Sequence, residues 1–137
     1  YVPHRQDEGR GRVGITIPDH VDVICQLANG AQAHLSVSTV TGLSPGNEVW
    51  LYGTDGTLHL DQRLKLSGGR RGDQQLSEIP NPPENQYDWR VEEEFINAIR
   101  GEEQITRTPF DVGVQYMEFT EAVARSSQTG QAISLPL

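Results

Sequence analysis

The apolar residues of this 137-residue chain alternate with polar ones along residues 21–37, within a strand-like stretch that reaches about residue 79, and recur at every third or fourth position from residue 91 onward. Side chains alternate across a strand with period two and return to one face of a helix after three or four residues. The chain is therefore expected to lay down its strands first and its helices afterwards. That order predicts an α+β fold whose antiparallel strands follow one another through hairpins, without the crossover helices that parallel strands need.

The first strand pair is the clearest. Val21, Val23, Cys25 and Leu27 alternate with Asp22, Ile24, Gln26 and Ala28. Asn29-Gly30 follows, a dipeptide suited to a two-residue turn with positive φ at both positions. On the return, Ala31, Ala33, Leu35 and Val37 share one face, and Gln32, His34, Ser36 and Ser38 the other. One dry face and one polar face mark an open sheet. Glu48–Tyr52 reads as a third strand, Gly53–Gly56 as a turn and Thr57–Asp61 as a fourth strand. Arg63–Ser67 and Leu76–Ile79 add two more around a Gly-rich loop, Gly68–Gly72. The expectation is an open-faced, mainly antiparallel sheet of five to six strands in a domain spanning 13–137. Residues 1–12 are read as a linker or a truncated strand.

Pro80–Pro83 closes the strand region. Asp88 is positioned to cap a helix carrying Val91, Phe95, Ala98 and Ile99 on one stripe, with Glu92, Glu93, Glu94 and Asn97 outside it. Gly101 supplies its stop. Thr108, Pro109 and Asp111 form the start signal of a second helix that ends at Gly130. This helix has two apolar stripes, Phe110/Val114/Met117/Ala124 and Val112/Tyr116/Phe119/Val123, so it is expected to be covered on more than one side. Gly113 in its interior suggests close packing. Both helices are expected on one face of the sheet, and Ile133–Leu135 is expected to return as a short strand.

The balance of 11 basic against 19 acidic residues, a net charge of −8, opposes attraction to phosphate backbones and argues against nucleic acid as a partner. The clusters Arg5/Arg10/Arg12 and Arg70-Arg71 lie in Gly-rich surroundings and read as solvated loops. Hydrophobic residues make up 35%, on the low side for a free-standing globule, as expected of a domain cut from a larger protein. Cys25 is the single cysteine, so the chain forms no internal disulfide, and a reducing cytoplasm is the expected location. No apolar run is long enough for a membrane span and no signal peptide opens the sequence. The first residue is Tyr1, and a segment upstream of it is expected.

No reactive constellation emerges. His4, His20, His34 and His59 are scattered without a metal-ligand spacing, although His20 and His34 fall on the polar face of the same hairpin. Gly53-Thr54-Asp55-Gly56-Thr57 leads into a strand, where a phosphate-binding loop would open a helix, so it reads as a hairpin turn. Neither a dinucleotide fingerprint nor a nucleophile elbow is present. Glu118 and Glu121 lie one turn apart and read as surface acids. We assign no catalytic, cofactor-binding or metal-ligating residue. Trp50 and Tyr52 project from the face opposite Val49 and Leu51, which are expected on the core side. Aromatic residues on a polar sheet face call for a cover, and the interface candidates are Trp50, Tyr52, His34 and Ser36.

Several segments in order carry a resemblance: Pro18-Asp19-His20-Val21, Asn29-Gly30-Ala31, Tyr52-Gly53-Thr54-Asp55-Gly56-Thr57-Leu58, Phe95-Ile96-Asn97-Ala98-Ile99-Arg100-Gly101, Tyr116-Met117-Glu118-Phe119, and the close from Ser126 through Gly130 to Leu135-Pro136. From about Val13 to Leu137 the chain resembles the second domain of the Gfo/Idh/MocA oxidoreductases, the family of glucose–fructose oxidoreductase and inositol dehydrogenase. The resemblance implies an amino-terminal Rossmann domain that binds NAD or NADP and holds a catalytic lysine in a Glu-Lys-Pro segment. An Asp-x-x-x-His pair on a helix would complete the active site. It implies further that the second domain walls the substrate pocket and builds dimers or tetramers through its open sheet. No Glu-Lys-Pro segment is present, and Asp55 and His59, which have the paired spacing, fall across a hairpin. The isolated chain is thus expected to be inactive, with the cofactor held by the parent protein. The alternative is a free-standing binding or assembly module; a secreted sugar-binding β domain fits less well.

Overall fold

Every strand pairs antiparallel with a neighbour in sequence. The computed structural model describes residues 3–15, 17–86 and 88–137. Its strands are β1 (His4–Asp7), β2 (Gly11–Gly14), β3 (His20–Gln26), β4 (Gln32–Ser38), β5 (Val49–Tyr52), β6 (Gly56–Leu60), β7 (Leu66–Arg70) and β8 (Ser77–Glu78). After a 3-10 turn at Pro83–Asn85 come two helices, α1 (Val91–Arg100) and α2 (Phe110–Thr129). The fold is α+β with antiparallel strands and carboxy-terminal helices. The strands do not join into one sheet: β1-β2 and β3-β4 are two-stranded sheets, and β5-β6-β7-β8 is a four-stranded meander. Two compact units are distinguished, Tyr1–Pro83 with the strands and Glu84–Leu137 with the helices.

In the strand unit, β1 and β2 pair as a hairpin, where the expectation was a linker or a truncated strand. Asp7 builds its turn, its Oδ1 accepting from the Gly9 and Arg10 amides at 3.0 and 2.8 Å. The arginines there are not all free in a loop. Arg5, on β1, pairs with Asp19, whose carboxylate is buried, and Arg12, on β2, lies 3.4 Å from His4 Nδ1.

The loop between β3 and β4 corrects the expected turn. The Gly30 amide donates to the Leu27 carbonyl at 2.9 Å and the Leu27 amide to the Ala31 carbonyl at 2.8 Å. Gly30 alone in this loop has positive φ, at 87°. This is a three-residue loop, Ala28–Gly30, with a type I turn followed by a left-handed glycine. Loop length decides which faces meet. A two-residue loop at Asn29-Gly30 would set Cys25 opposite His34, whereas the observed register sets Cys25 opposite Ala33, Val23 opposite Leu35 and Val21 opposite Val37. A slip of one residue would have mixed the dry and polar faces.

The Gly-rich segment expected as a loop is largely strand, since Gly68, Gly69 and Arg70 belong to β7. A Cβ on Gly68 would lie 2.8 Å from both Ile79 Cδ1 and Leu58 Cδ2. Glycine here admits neighbouring apolar side chains against the backbone. Between β6 and β7, Asp61 Oδ1 accepts from the Arg63 and Lys65 amides at 2.8 and 2.9 Å. Those bonds, the Lys65 one foremost, hold the Asp61 carboxyl below the usual carboxylate range.

In the helical unit both predicted stops hold, with Gly101 and Gly130 left-handed at φ 74° and 68°. The starts differ. Arg90 and Pro109 occupy the capping positions without a side-chain cap, so neither Asp88 nor Thr108 caps its helix. The Asp88 backbone carbonyl instead accepts from Arg107 Nη1 at 3.1 Å. Glu94, expected at the surface, is buried, its carboxylate accepting from Thr106 Oγ1 at 2.6 Å and the Arg107 amide at 3.2 Å. The apolar α1 stripe remains exposed at Phe95 and Ile99. On α2, Val112, Phe119 and Val123 are half-buried and Ala122 is buried, while Phe110, Val114, Tyr116 and Met117 are exposed. Space is open beside Gly113, where a Cβ would meet nothing within 4 Å. No strand forms at Ile133–Leu135. Among the described residues Ala122 is the one buried apolar side chain.

Candidate functional site: an uncovered aromatic sheet face

Residues directly opposite in an antiparallel pair share a face. The register places Trp50 opposite His59, His59 opposite Ser67, and Ser67 opposite Glu78, a row running across all four strands. Tyr52 lies beside this row, opposite Thr57. Trp50 stacks on His59 with ring centroids 3.8 Å apart and planes 19° from parallel. It also lies parallel to Tyr52, with 5.9 Å between centroids. Glu48 fixes the indole from the preceding alternate position, its Oε2 accepting from Trp50 Nε1 at 3.1 Å. The same oxygen lies 3.5 Å from His59 Nε2, within ion-pair range, yet that nitrogen has no hydrogen bond. Lys65 and Glu78 pair at 2.7 Å at the far end of the row, which raises the Lys65 pKa through the hydrogen bond to Glu78.

The face is covered in its centre and open at its rim. The His59 side chain is only 17% exposed, whereas Tyr52 is 77% exposed. Val49 and Leu51, expected to be buried behind it, are also more than half exposed. Among the described residues β5 is also an edge strand of the meander, with no hydrogen-bonded strand on its outer side.

Of the four interface candidates, Trp50 and Tyr52 are brought together, while His34 and Ser36 belong to the separate β3-β4 sheet. There the polar face gathers a cluster around Asp22, with His20 Nε2 at 2.9 Å and His34 Nε2 at 3.4 Å from its two oxygens. Ser36 lies directly opposite. The hydrogen bonds from His20 first, then Ser36, hold Asp22 below its ordinary pKa. Sequence reading brought the two histidines together and missed the acid between them, although Asp22 shares their parity along β3. It also missed His59 and Glu48, whose placement follows once the Gly53–Gly56 turn fixes the β5-β6 register.

Among the described residues, no group of three or more His, Cys, Asp or Glu is arranged to hold a metal ion. Cys25 is half-buried, its Sγ 3.8 Å from the Ala33 carbonyl oxygen. Among the described residues no helix is long and apolar enough to cross a membrane. Comparison with protein-family models, with curated proteins and with solved structures finds no match for this chain.

Proposed function

We propose that this chain is the carboxy-terminal domain of an NAD(P)-dependent sugar or polyol oxidoreductase, forming pocket wall and subunit contact while groups outside it carry out hydride transfer. The observation that carries the reading is the stacked Trp50–His59 pair with Tyr52 beside it, oriented by Glu48 and left uncovered. Aromatic side chains already held in place lose little freedom on association, which suits them to the centre of an interface. Two copies related by a two-fold axis would each present the same face to the other. His34 and Ser36, on the polar face of the neighbouring hairpin, suit the wetter rim of such a contact. The resemblance of the chain from Val13 to Leu137 to the second domain of the Gfo/Idh/MocA oxidoreductases supports the enzymatic half of the reading. In that setting the Rossmann domain is the partner that holds NAD or NADP, and cytoplasm is the expected compartment.

The coding sequence on the amino-terminal side is the test. It is expected to specify a strand, a Gly-rich turn and a helix, followed by a Glu-Lys-Pro segment. A protein carrying both parts should reduce NAD or NADP with a sugar or polyol, and the present chain alone should leave NADH and NADPH fluorescence unchanged on titration. Tight nucleotide binding by this chain alone, or an upstream sequence without a dinucleotide-binding unit, overturns the proposal. The second result would favour a free-standing assembly module.

A further inference from the structure

At the turn end of the meander, two segments that read separately as solvated loops lie against each other. The β5-β6 turn is closed by the Gly53 amide donating to the Gly56 carbonyl at 2.8 Å. The β7-β8 connection is joined to it by the Arg71 amide, which donates to the Asp55 carbonyl at 2.8 Å. Between them runs a groove of about 590 Å³, with Gly53, Gly56 and Gly69 in its lining and Arg70 and Arg71 on its wall. Glycine is what keeps the two segments this close. A Cβ on Gly56 would fall inside contact distance of the Gly69 carbonyl oxygen, and one on Gly69 would come 3.3 Å from the Gln75 carbonyl oxygen.

The charges in this groove are unevenly spent. Asp73 is the one carboxylate in the lining, and its Oδ2 is engaged by the Arg70 backbone amide at 2.7 Å. Among the described residues, the guanidinium groups of Arg70 and Arg71 have no ion-pair or hydrogen-bond partner, unlike Arg5, Lys65, Arg90 and Arg125. The lining thus holds two arginines against one carboxylate, in a chain whose net charge is −8. Thr54, Thr57, Gln74 and Gln75 complete the lining with neutral hydrogen-bonding groups.

The geometry points to a binding groove for a small phosphomonoester, its phosphate on Arg70 and Arg71 and its polar remainder along the Thr and Gln side chains. A phosphate carries nearly two charges at neutral pH and three acceptor oxygens, which match two guanidinium forks better than a single carboxylate does. The net charge of −8 disfavours a nucleic-acid strand. This inference is independent of the oxidoreductase reading and of the aromatic face.

The test is a titration of the ¹⁵N-labelled chain at low salt with inorganic phosphate, with a hexose 6-phosphate, and with acetate and chloride as controls. Saturable shifts confined to the amides of 53–57 and 69–76 are expected with both phosphate ligands. Tighter binding of the hexose phosphate would place the Thr and Gln side chains on the sugar, and equal binding would make the phosphate group the whole determinant; both support the groove. Arg70→Gln and Arg71→Gln are surface changes, and each should raise the dissociation constant about tenfold, the loss of a charge-assisted hydrogen bond at an exposed site. Spectra otherwise superimposable on the wild type will report that each variant is folded. Shifts that do not saturate, that spread over the chain, that acetate reproduces at equal concentration, or that persist unchanged in both variants would overturn the assignment.

Discussion

Gly56→Ala is the sharpest probe of the meander. Gly56 opens β6 and pairs with Arg70 at the end of β7. An added Cβ would sit inside contact distance of the Gly69 carbonyl oxygen and 3.1 Å from the Arg70 Cα. Both are backbone atoms, so no side-chain rotation relieves the overlap, and the ends of β6 and β7 must separate. That movement breaks the last pair of the ladder and loosens the turn closed by Gly53 and Gly56. Losing one or two backbone hydrogen bonds at about 1 kcal/mol each, with about 1 kcal/mol of overpacking, gives a destabilisation of roughly 2–3 kcal/mol. Gly68→Ala overlaps only side-chain ends, those of Leu58 and Ile79, and meets the Thr57 carbonyl oxygen at an ordinary contact of 3.4 Å, so it should cost about 1 kcal/mol. Gly14→Ala, where a Cβ meets nothing within 4 Å, should be neutral or stabilise by about 0.5 kcal/mol. Urea unfolding followed by circular dichroism and tryptophan fluorescence measures all three. If Gly56→Ala proves no more destabilising than Gly14→Ala, the β6-β7 pairing described here is wrong.

Two further predictions follow from single residues. Gly113 lies inside α2 with open space beside it, so Gly113→Ala should stabilise the helical unit by about 1 kcal/mol in thermal melts; a loss would show that something packs on that glycine. The Asp61 carboxyl is held low by the Lys65 and Arg63 amides, so its contribution to stability is fully present above the unfolded value near pH 3.9 and is lost as pH falls through the lower folded value. An NMR titration of the Asp61 side chain should give a midpoint below that of an unfolded-state peptide, and Asp61→Asn should flatten this part of the stability profile.

What could be read from sequence was whatever rests on local repetition. The alternation from Val21 to Val37 identified both strands, because side chains alternate along them; of the expected dry face Val21, Val23, Cys25 and Ala33 are half-buried, whereas Leu35 and Val37 are exposed. The length of the intervening loop was not legible, since Asn29-Gly30 suits a two-residue turn and only the Leu27–Ala31 bond shows the third residue. Gly68 and Gly69 looked like loop because glycine usually breaks strands; the reason for Gly68 lies in Leu58 and Ile79, and that for Gly69 in Gln75 and Leu76, which approach from other segments. Glu94 looked like its neighbours Glu92 and Glu93, and its burial depends on Thr106 and Arg107, a dozen residues further on. The interface candidates were half legible for the same reason. Trp50 and Tyr52 share a face by parity, whereas their partners His59 and Glu48 depend on the register across a turn.

Light scattering coupled to size-exclusion chromatography, over a concentration series, addresses the aromatic face directly. The wild-type chain should pass from monomer to dimer as concentration rises, and Trp50→Ala should weaken association by about 2 kcal/mol, roughly thirtyfold. A chain that stays monomeric at the highest concentration, or a dimer indifferent to Trp50→Ala, would contradict the assignment of this sheet face to subunit contact.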